Sequence, residues 1–365
     1  MLWFVRELEN GFCNRDIDLQ AIAKNNPRLS ICIATYNRGQ FIGETLDSIL
    51  GQMEPGVELI VVDGASPDNT PDVMAQYLSR HPEIRYYREQ ENSGVDCDYD
   101  KAVGYANGDY CWVFPDDDLL KPGAIKRVLD ACRQRFVCVL VDAEVCSPDF
   151  SKQLLRKRLE YEKDQVYKPK DFRKLFVDTV NKLSFIGSVV MRRDVWLDRE
   201  RQAYYGSFFV HVGVIFQTPL PGDTLVIAEP QISIRYGNSS WTSRSFEIWM
   251  FKWPQVIWSL KSVLDIDKKK IVSPEPWRDF KNLILLRAKG AYTFSEYEKF
   301  LKHKVSGKME APFFWFLSVV PGKFVNLIAC LYVIIFVKAK AFTLADLRSS
   351  PFYFMGLGKS SRTDI

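Results

Sequence analysis

Three consecutive aspartates, Asp116, Asp117 and Asp118, follow the apolar run Tyr110–Phe114. Carboxylates this close repel one another, and a shared cation relieves the cost. Oxygen-only ligands select a hard ion, Mg2+ or Mn2+, which keeps several waters and bridges substrate phosphates. Alternation along an extended chain puts Asp116 and Asp118 on one side as the metal pair and Asp117 on the other. The same residues could instead form an acidic cap for a helix starting near Lys121-Pro122. Asp63 closes a second apolar run, Val57–Val62, and can accept hydrogen bonds from a base or ribose, while Gly64 behind it permits close backbone approach. The first apolar run opens into Thr35-Tyr36-Asn37-Arg38, which supplies an aromatic face and amide groups. His211, one of 3 histidines, stands between apolar residues and Gly213. Its ordinary pKa of about 6.5 suits a general base, although a histidine in an apolar run is more often a hydrogen-bonded core residue. Arg235, Gly237, Asn238 and Trp241 read as a glycine-hinged polar loop able to fold over a diphosphate or an acceptor sugar.

These groups need a frame that brings them to one place. From Leu29 the pattern alternates strand and helix: strands at 29–34, 57–62, 84–87 and 110–114, helices at 40–51, after Asn69 or Thr70 with Pro71 in the first turn, and at 96–106. That rhythm predicts an α/β fold with a mostly parallel sheet and helices on both faces, whose ligands bind beyond the carboxyl ends of the strands. Further strands are expected at 136–142, 185–191, 226–228 and 232–236, and helices over 172–180 and 246–302. No G-x-G-x-x-G follows the first strand and no G-x-x-x-x-G-K-[ST] occurs, so neither a dinucleotide site nor a Walker-type loop is predicted.

Residues 29–130 resemble the nucleotide-sugar-binding half of inverting family 2 glycosyltransferases of the GT-A (Rossmann-like) fold. The resemblance is carried by Ser30–Arg38 with Thr45–Leu50, by Glu58–Ser66 with Asp68-Asn69-Thr70, by Glu91-Asn92-Ser93-Gly94, by Ala106–Tyr110 and by Phe114–Asp118. It implies that Tyr36 and Asp63 hold the nucleobase; with the strand-end and loop readings above, Thr35, Asn37, Arg38, Gly94, Asp116, Asp117, Arg235 and Trp241 are the further candidates for donor contact. It also implies a Mg2+ or Mn2+ on Asp116 and Asp118, with Asp117 as the alternative ligand. The chain departs from the family where Asp100-Lys101 stands near the usual Arg-Asn. It also lacks the Glu-Asp pair that supplies the acceptor-activating base, leaving His211 as candidate. The layout of residues 184–258 is similar to bacterial O-antigen transferases of the abequosyltransferase type.

The expected organisation is an extension (1–28), a GT-A domain (29–245) with a nucleotide-sugar half (29–130) and an acceptor half (131–245), a helical region (246–310), and an apolar, basic membrane-associated tail (311–365). Net charge is +4, too small to suggest nucleic acid, but residues 301–365 hold 9 Lys/Arg and 3 Asp/Glu, net +6, leaving −2 for the rest. Pro321-Gly322-Lys323 divides the apolar stretch 311–337 into pieces too short for a clean span, so two short helices in one leaflet are expected, followed by Lys338, Lys340 and Arg348. The 8 cysteines form no C-x-x-C pair and the N-terminus lacks a signal-peptide pattern, so the chain is expected to stay in the cytosol; with the apolar, basic tail and the bacterial type that the resemblance implies, the expected location is the cytoplasmic face of a bacterial inner membrane, peripheral or monotopic. The expected partners are a nucleotide-sugar donor, a glycan or lipid-linked glycan acceptor and a membrane surface. The competing readings are a nucleotidyltransferase-like enzyme and a non-catalytic sugar- or lipid-binding protein.

Overall fold

A computed structural model of the chain describes residues 28–238, 244–305, 307, 310–337 and 340–355. Ten strands form one sheet: β1 (Leu29–Thr35), β2 (Val57–Asp63), β3 (Arg85–Arg88), β4 (Tyr110–Phe114), β5 (Leu119–Leu120), β6 (Cys138–Cys146), β7 (Gln153–Leu155), β8 (Gln165–Tyr167), β9 (Val189–Arg192) and β10 (Thr224–Arg235). The main order is β3-β2-β1-β4-β9-β6-β10-β5, with β7 on β6 and β8 on β10. Strands β3, β2, β1 and β4 are parallel throughout. Strand β9 runs antiparallel to both β4 and β6, and joins this half to the parallel β6–β10 pair.

The parallel half follows from its sequence. All seven residues of β1 are buried, the pattern of a strand covered on both faces. Cys32, Ile60, Val62 and Val113 face helix α3 (Val95–Tyr105, following α1 and α2 below) through Tyr99, Ala102 and Val103. Their alternates Ile31, Ile33, Leu59, Val61 and Trp112 face α1 (Ile42–Leu50), α2 (Thr70–Arg80) and α4 (Ala124–Arg133) through Leu46, Ile49, Met74 and Val128. Register pairs Thr35 with Asp63, Asp63 with Arg88, and Ile33 with Phe114, so the polar residues that end these strands share one edge.

The second half departs from the expected strands in two places. Residues 226–228 and 232–236 belong to a single long strand, β10, whose register slips between Ile227 and Ile232. Pro230 sits in that gap, with no N–H to give the ladder. The expected strand at 185–191 is shortened to β9, preceded by a 3-10 turn at Ile186–Ser188 whose Gly187 carbonyl accepts the Trp112 indole N–H at 2.8 Å. Helices α5 (Phe172–Thr179), α6 (Arg193–Leu197) and α7 (Val210–Phe216) complete this half.

Beyond Arg244 the described chain is helical, including α8 (Trp253–Ser259), α9 (Asp265–Ile271), α10 (Phe280–Ala288), α11 (Glu310–Val319), α12 (Gly322–Phe336) and α13 (Lys340–Ser349). Phe246, Trp277, Tyr292 and Phe314 form one core there, and Ala288, Val325, Ala329 and Leu347 another.

Candidate active site

The loop after β1 is fixed by three consecutive backbone donors. The N–H of Asn37 reaches Ser66 Oγ at 2.9 Å, that of Arg38 reaches Thr70 Oγ1 at 3.0 Å, and that of Gly39 reaches Asp68 Oδ2 at 3.0 Å. Asp68 also accepts from the backbone and hydroxyl of Thr70. Partial burial acts to raise its pKa, but the bonds from Thr70 and Gly39 prevail and hold its carboxyl below the ordinary range. Asn37 and Ala65 both occupy the left-handed region, φ 58° and 64°, on opposite sides of this junction. Asparagine tolerates that conformation; for alanine it is a strained position. Tyr36 leaves the loop with its ring 44% exposed, free to offer a face to a base.

Asp63 is 0% exposed. Its Oδ1 accepts the Ser66 N–H at 2.8 Å and its Oδ2 the Tyr86 hydroxyl at 2.6 Å, while Arg88 Nε stands 3.9 Å away. With no surface of its own exposed, Asp63 acts on its surroundings through the groups it orients: Ser66, Tyr86 and Arg88. Gly64 is required for another reason than ligand approach. A Cβ there would lie 2.6 Å from Asp98 Oδ2, so the missing side chain makes room for a second buried carboxylate. Gly94 adopts φ 89° before α3, and nothing lies within 4 Å of where its Cβ would be.

The aspartates do not lie as alternation predicts. Asp116 and Asp117 form bends in the connection between β4 and β5, so the period of two does not apply. Asp116 and Asp117 share the Arg38 guanidinium, with Nε 3.6 Å from Asp116 Oδ1 and Nη2 3.4 Å from Asp117 Oδ2. Asn238 completes the group, its amide donating to Asp117 Oδ2 at 3.0 Å and its carbonyl accepting from Arg38 Nη1 at 3.0 Å. Asp118 turns away: its Oδ1 accepts the Arg235 N–H at 2.7 Å, and its carbonyl accepts the Thr45 hydroxyl at 2.9 Å. Asp116 thus neighbours Asp117, the alternative ligand of the sequence reading, rather than Asp118.

Burial raises all three carboxyls, and Asp118, pressed by the charges of Asp117 and Asp116, stands well above its ordinary range, so it is geometry that sets Asp116 and Asp117 apart. Burial first, then the Asp117 charge, pushes the Asp116 carboxyl up to about 7, with Arg38 and the Thr35 hydroxyl acting in the opposite direction. Burial also raises Asp117, against Arg38 and Asn238. A Mg2+ or Mn2+ completes its shell with water and substrate oxygens and needs one or two carboxylates from the protein, so this pair fits one. Among the described residues no three His, Cys, Asp or Glu side chains converge on a point, so the protein offers part of a coordination shell, not a closed cage.

Arg235 is not free to hold a diphosphate. Its Nε donates to the Asp117 carbonyl at 3.0 Å, its Nη1 to the Pro148 carbonyl at 2.7 Å and its Nη2 to Glu44 Oε2 at 2.5 Å. The guanidinium also stacks over Phe150, 4.3 Å from the ring centroid. It ties the aspartate turn to β10 and α1, a positioning role. His211 fails as an accessible base. It lies in α7 with 0% exposure, and its Nε2 is 2.6 Å from the Leu183 carbonyl. Burial lowers its pKa to about 4, against the Leu183 contact. The N-terminus of that helix is held by Asp96, whose carboxylate accepts the N–H groups of Phe208 at 2.7 Å and Val210 at 3.0 Å. Trp241 lies outside the described residues. The sequence reading missed the junction role of Ser66, Asp68 and Thr70; the signal was their spacing after β2, with small oxygen-bearing side chains opposite a loop rich in unpaired N–H groups.

Residues 30–199 match the family described as Glycosyl transferase family 2. Those residues are a family 2 glycosyltransferase domain. The chain is 27% identical over 236 residues to the abequosyltransferase RfbV of Salmonella typhimurium, covering 59% of this chain and 69% of that protein. A chondroitin synthase of Escherichia coli is 31% identical over 114 residues, 31% of this chain and 16% of its own length. Among solved structures, S. aureus TarS 1-349 superposes with TM-score 0.53 at 14% identity, covering 88% of this chain and 89% of that one. The Pyrobaculum calidifontis mannosyltransferase PcManGT, solved with GDP-Man and Mn2+, gives TM-score 0.51 at 17% identity over 89% and 86% of the two chains. These likenesses show that the glycosyltransferase domain and its surroundings share the GT-A fold that the resemblance implies.

Proposed function

We propose that the protein transfers a sugar from a nucleoside-diphosphate sugar to a hydroxyl of a glycan acceptor, with inversion at the anomeric carbon. The observation that carries this reading is the convergence of Asp116, Asp117, Arg38 and Asn238 on the carboxyl edge of a parallel sheet whose neighbouring strand ends present Tyr36 and the Asp63 network. Similarity to an abequosyltransferase, and a like fold in proteins solved with UDP-GlcNAc and with GDP-Man and Mn2+, support it.

In this reading the exposed Tyr36 ring stacks on the nucleobase, while Asp63 keeps Ser66 and Tyr86 in place beneath it. The three tied N–H groups of residues 37–39 hold the loop rigid, so little ordering is needed when the donor arrives. Arg38 supplies a fixed positive charge where the departing diphosphate accumulates negative charge. A Mg2+ or Mn2+ held by Asp116 and Asp117 would offset the rest of that charge. Asp118 and Arg235 keep the turn in register. The acceptor is a glycan on a polyprenyl diphosphate, a substrate suited to a protein with an apolar C-terminal surface.

The test uses UDP-, GDP-, CDP- and dTDP-sugars with Mn2+ or with EDTA, scoring the released product. Release of a nucleoside diphosphate that stops in EDTA and in Asp116→Asn/Asp117→Asn protein is expected. Release of sugar 1-phosphate, the leaving group when the nucleotidyl group is what moves, would indicate a nucleotidyltransferase instead, and turnover unchanged in the double variant would refute the site.

A further inference from the structure

We propose that helices α11 and α12 seat the protein on an anionic lipid surface, lying in the interface without crossing it. Helix α12 has two opposed faces. Val325, Asn326, Ala329, Cys330 and Val333 are buried against α10 and α13. Phe324, Ile328, Leu331, Tyr332, Ile335 and Phe336 point outward and are each about half exposed or more. Apart from Lys323 at its start, the exposed face of this helix carries only apolar side chains. Trp315, Phe316 and Val319 extend the apolar surface along α11.

The hairpin is mounted rigidly. Helices α11 and α12 meet at 99°. Arg287 of α10 donates from Nε to the Val320 carbonyl at 3.2 Å, meeting the end of α11. Asn326, which interrupts the apolar stretch in sequence, points inward and donates to the carbonyls of Ala288 at 3.0 Å and Leu347 at 2.9 Å. The chain break at Gly322 is filled by Phe352, whose ring would lie 2.2 Å from a Cβ there.

Geometry and charge select the occupant. No described helix is long and apolar enough alone to cross a bilayer. The 15 residues of α12 rise roughly 22 Å, less than the hydrocarbon core, and one side of the helix is covered by protein. A helix solvated by lipid on one face only belongs at the boundary between headgroups and acyl chains. The net +6 of residues 301–365, with Lys323 and Arg348 exposed, suits anionic headgroups. The same charge opposes pairing this face with a second copy of itself. The cytoplasmic leaflet of a bacterial inner membrane has this chemistry. The inference stands on the surface alone, whatever the acceptor is.

The experiment is flotation of the full chain with mixed phosphatidylcholine–phosphatidylglycerol vesicles and with pure phosphatidylcholine vesicles. The wild type is expected to float with the mixed vesicles, less with the neutral ones and less at high salt. In Ile328→Asp/Ile335→Asp, two exposed sites, the bound fraction should fall by about tenfold or more, with circular dichroism and nucleotide-sugar binding unchanged. Lys323→Glu/Arg348→Glu should lose the preference for anionic vesicles and keep the residual neutral binding. Equal flotation of wild type and the Asp variant would overturn the proposal. So would a concentration-dependent dimer that the Asp variant dissociates, with no flotation by the wild type. Retained donor binding in the non-floating variant separates this test from that of the transferase.

Discussion

Two regions of the molecule bury charge in different ways. Around α7, Asp96 of α3 and His211 are sealed in: Asp96 spends its oxygens on backbone N–H groups, and His211 faces a carbonyl within an apolar core. At the carboxyl edge of the parallel half, Asp116 and Asp117 are also buried, but beside each other, sharing the Arg38 guanidinium at 3.4–3.6 Å. Burial raises carboxyls in both places, Asp96 to about 6 and Asp116 to about 7, but the Asp96 oxygens are taken by backbone donors, whereas Asp116 and Asp117 repel each other across one shared guanidinium, a cost that a cation would relieve. Burial of a titratable residue is therefore a poor guide to function, and what it is buried against is a good one.

Substitutions should separate the two kinds of burial. The largest effect is expected at the shared pair, where Asp117→Asn should lower sugar transfer by about 10²–10³-fold, the scale of losing a charge-stabilising group, with little change in melting temperature. Steady-state kinetics with the preferred donor measures it. Equal loss in Asp118→Asn at unchanged stability would break the distinction, because Asp118 bonds only backbone here.

At His211 the expected effect is on stability and its pH dependence. With a folded pKa of about 4 against an ordinary value of 6.5, the unfolded chain takes up the proton first. Stability contributed by the neutral ring is complete above about 6.5, declines as pH falls, and is exhausted near 4, a total of roughly 3 kcal/mol. His211→Gln should remove that slope from denaturant midpoints while changing the transfer rate by less than about tenfold, since general-base loss typically costs 10²–10⁴-fold. Arg235→Gln should cost about 1–3 kcal/mol through its lost charged hydrogen bonds, read as a shifted midpoint with donor KM retained. The smallest effect is at Ala65→Gly, where relief of the φ 64° conformation should raise stability by roughly 1 kcal/mol.

Much of this was readable beforehand where local chemistry and fold agree. Apolar runs ending in Thr35, Asp63 and Phe114 specify parallel strands, and the parallel register then forces their ends together. Legibility failed where three-dimensional context overrides local pattern. Asp116 and Asp117 form bends, so counting alternate residues paired Asp116 with Asp118, whereas the turn sets it beside Asp117. Arg235 has the composition of a phosphate ligand, but Glu44, Pro148 and Phe150 arrive from distant segments to claim it. His211 has the chemistry of a base, and only tertiary packing reveals that no solvent reaches it. Asn326 looks like a flaw in an apolar run and proves to be the bond that fastens the run to α10.

The most direct test of the central claim is donor turnover with Mn2+ in three proteins side by side: wild type, Asp116→Asn/Asp117→Asn and His211→Gln, each with the nucleotide sugar that the wild type uses. The account predicts that the double aspartate variant loses metal-dependent turnover and donor binding while His211→Gln retains both within about tenfold. Retained turnover in the aspartate variant, with loss at His211, would contradict it.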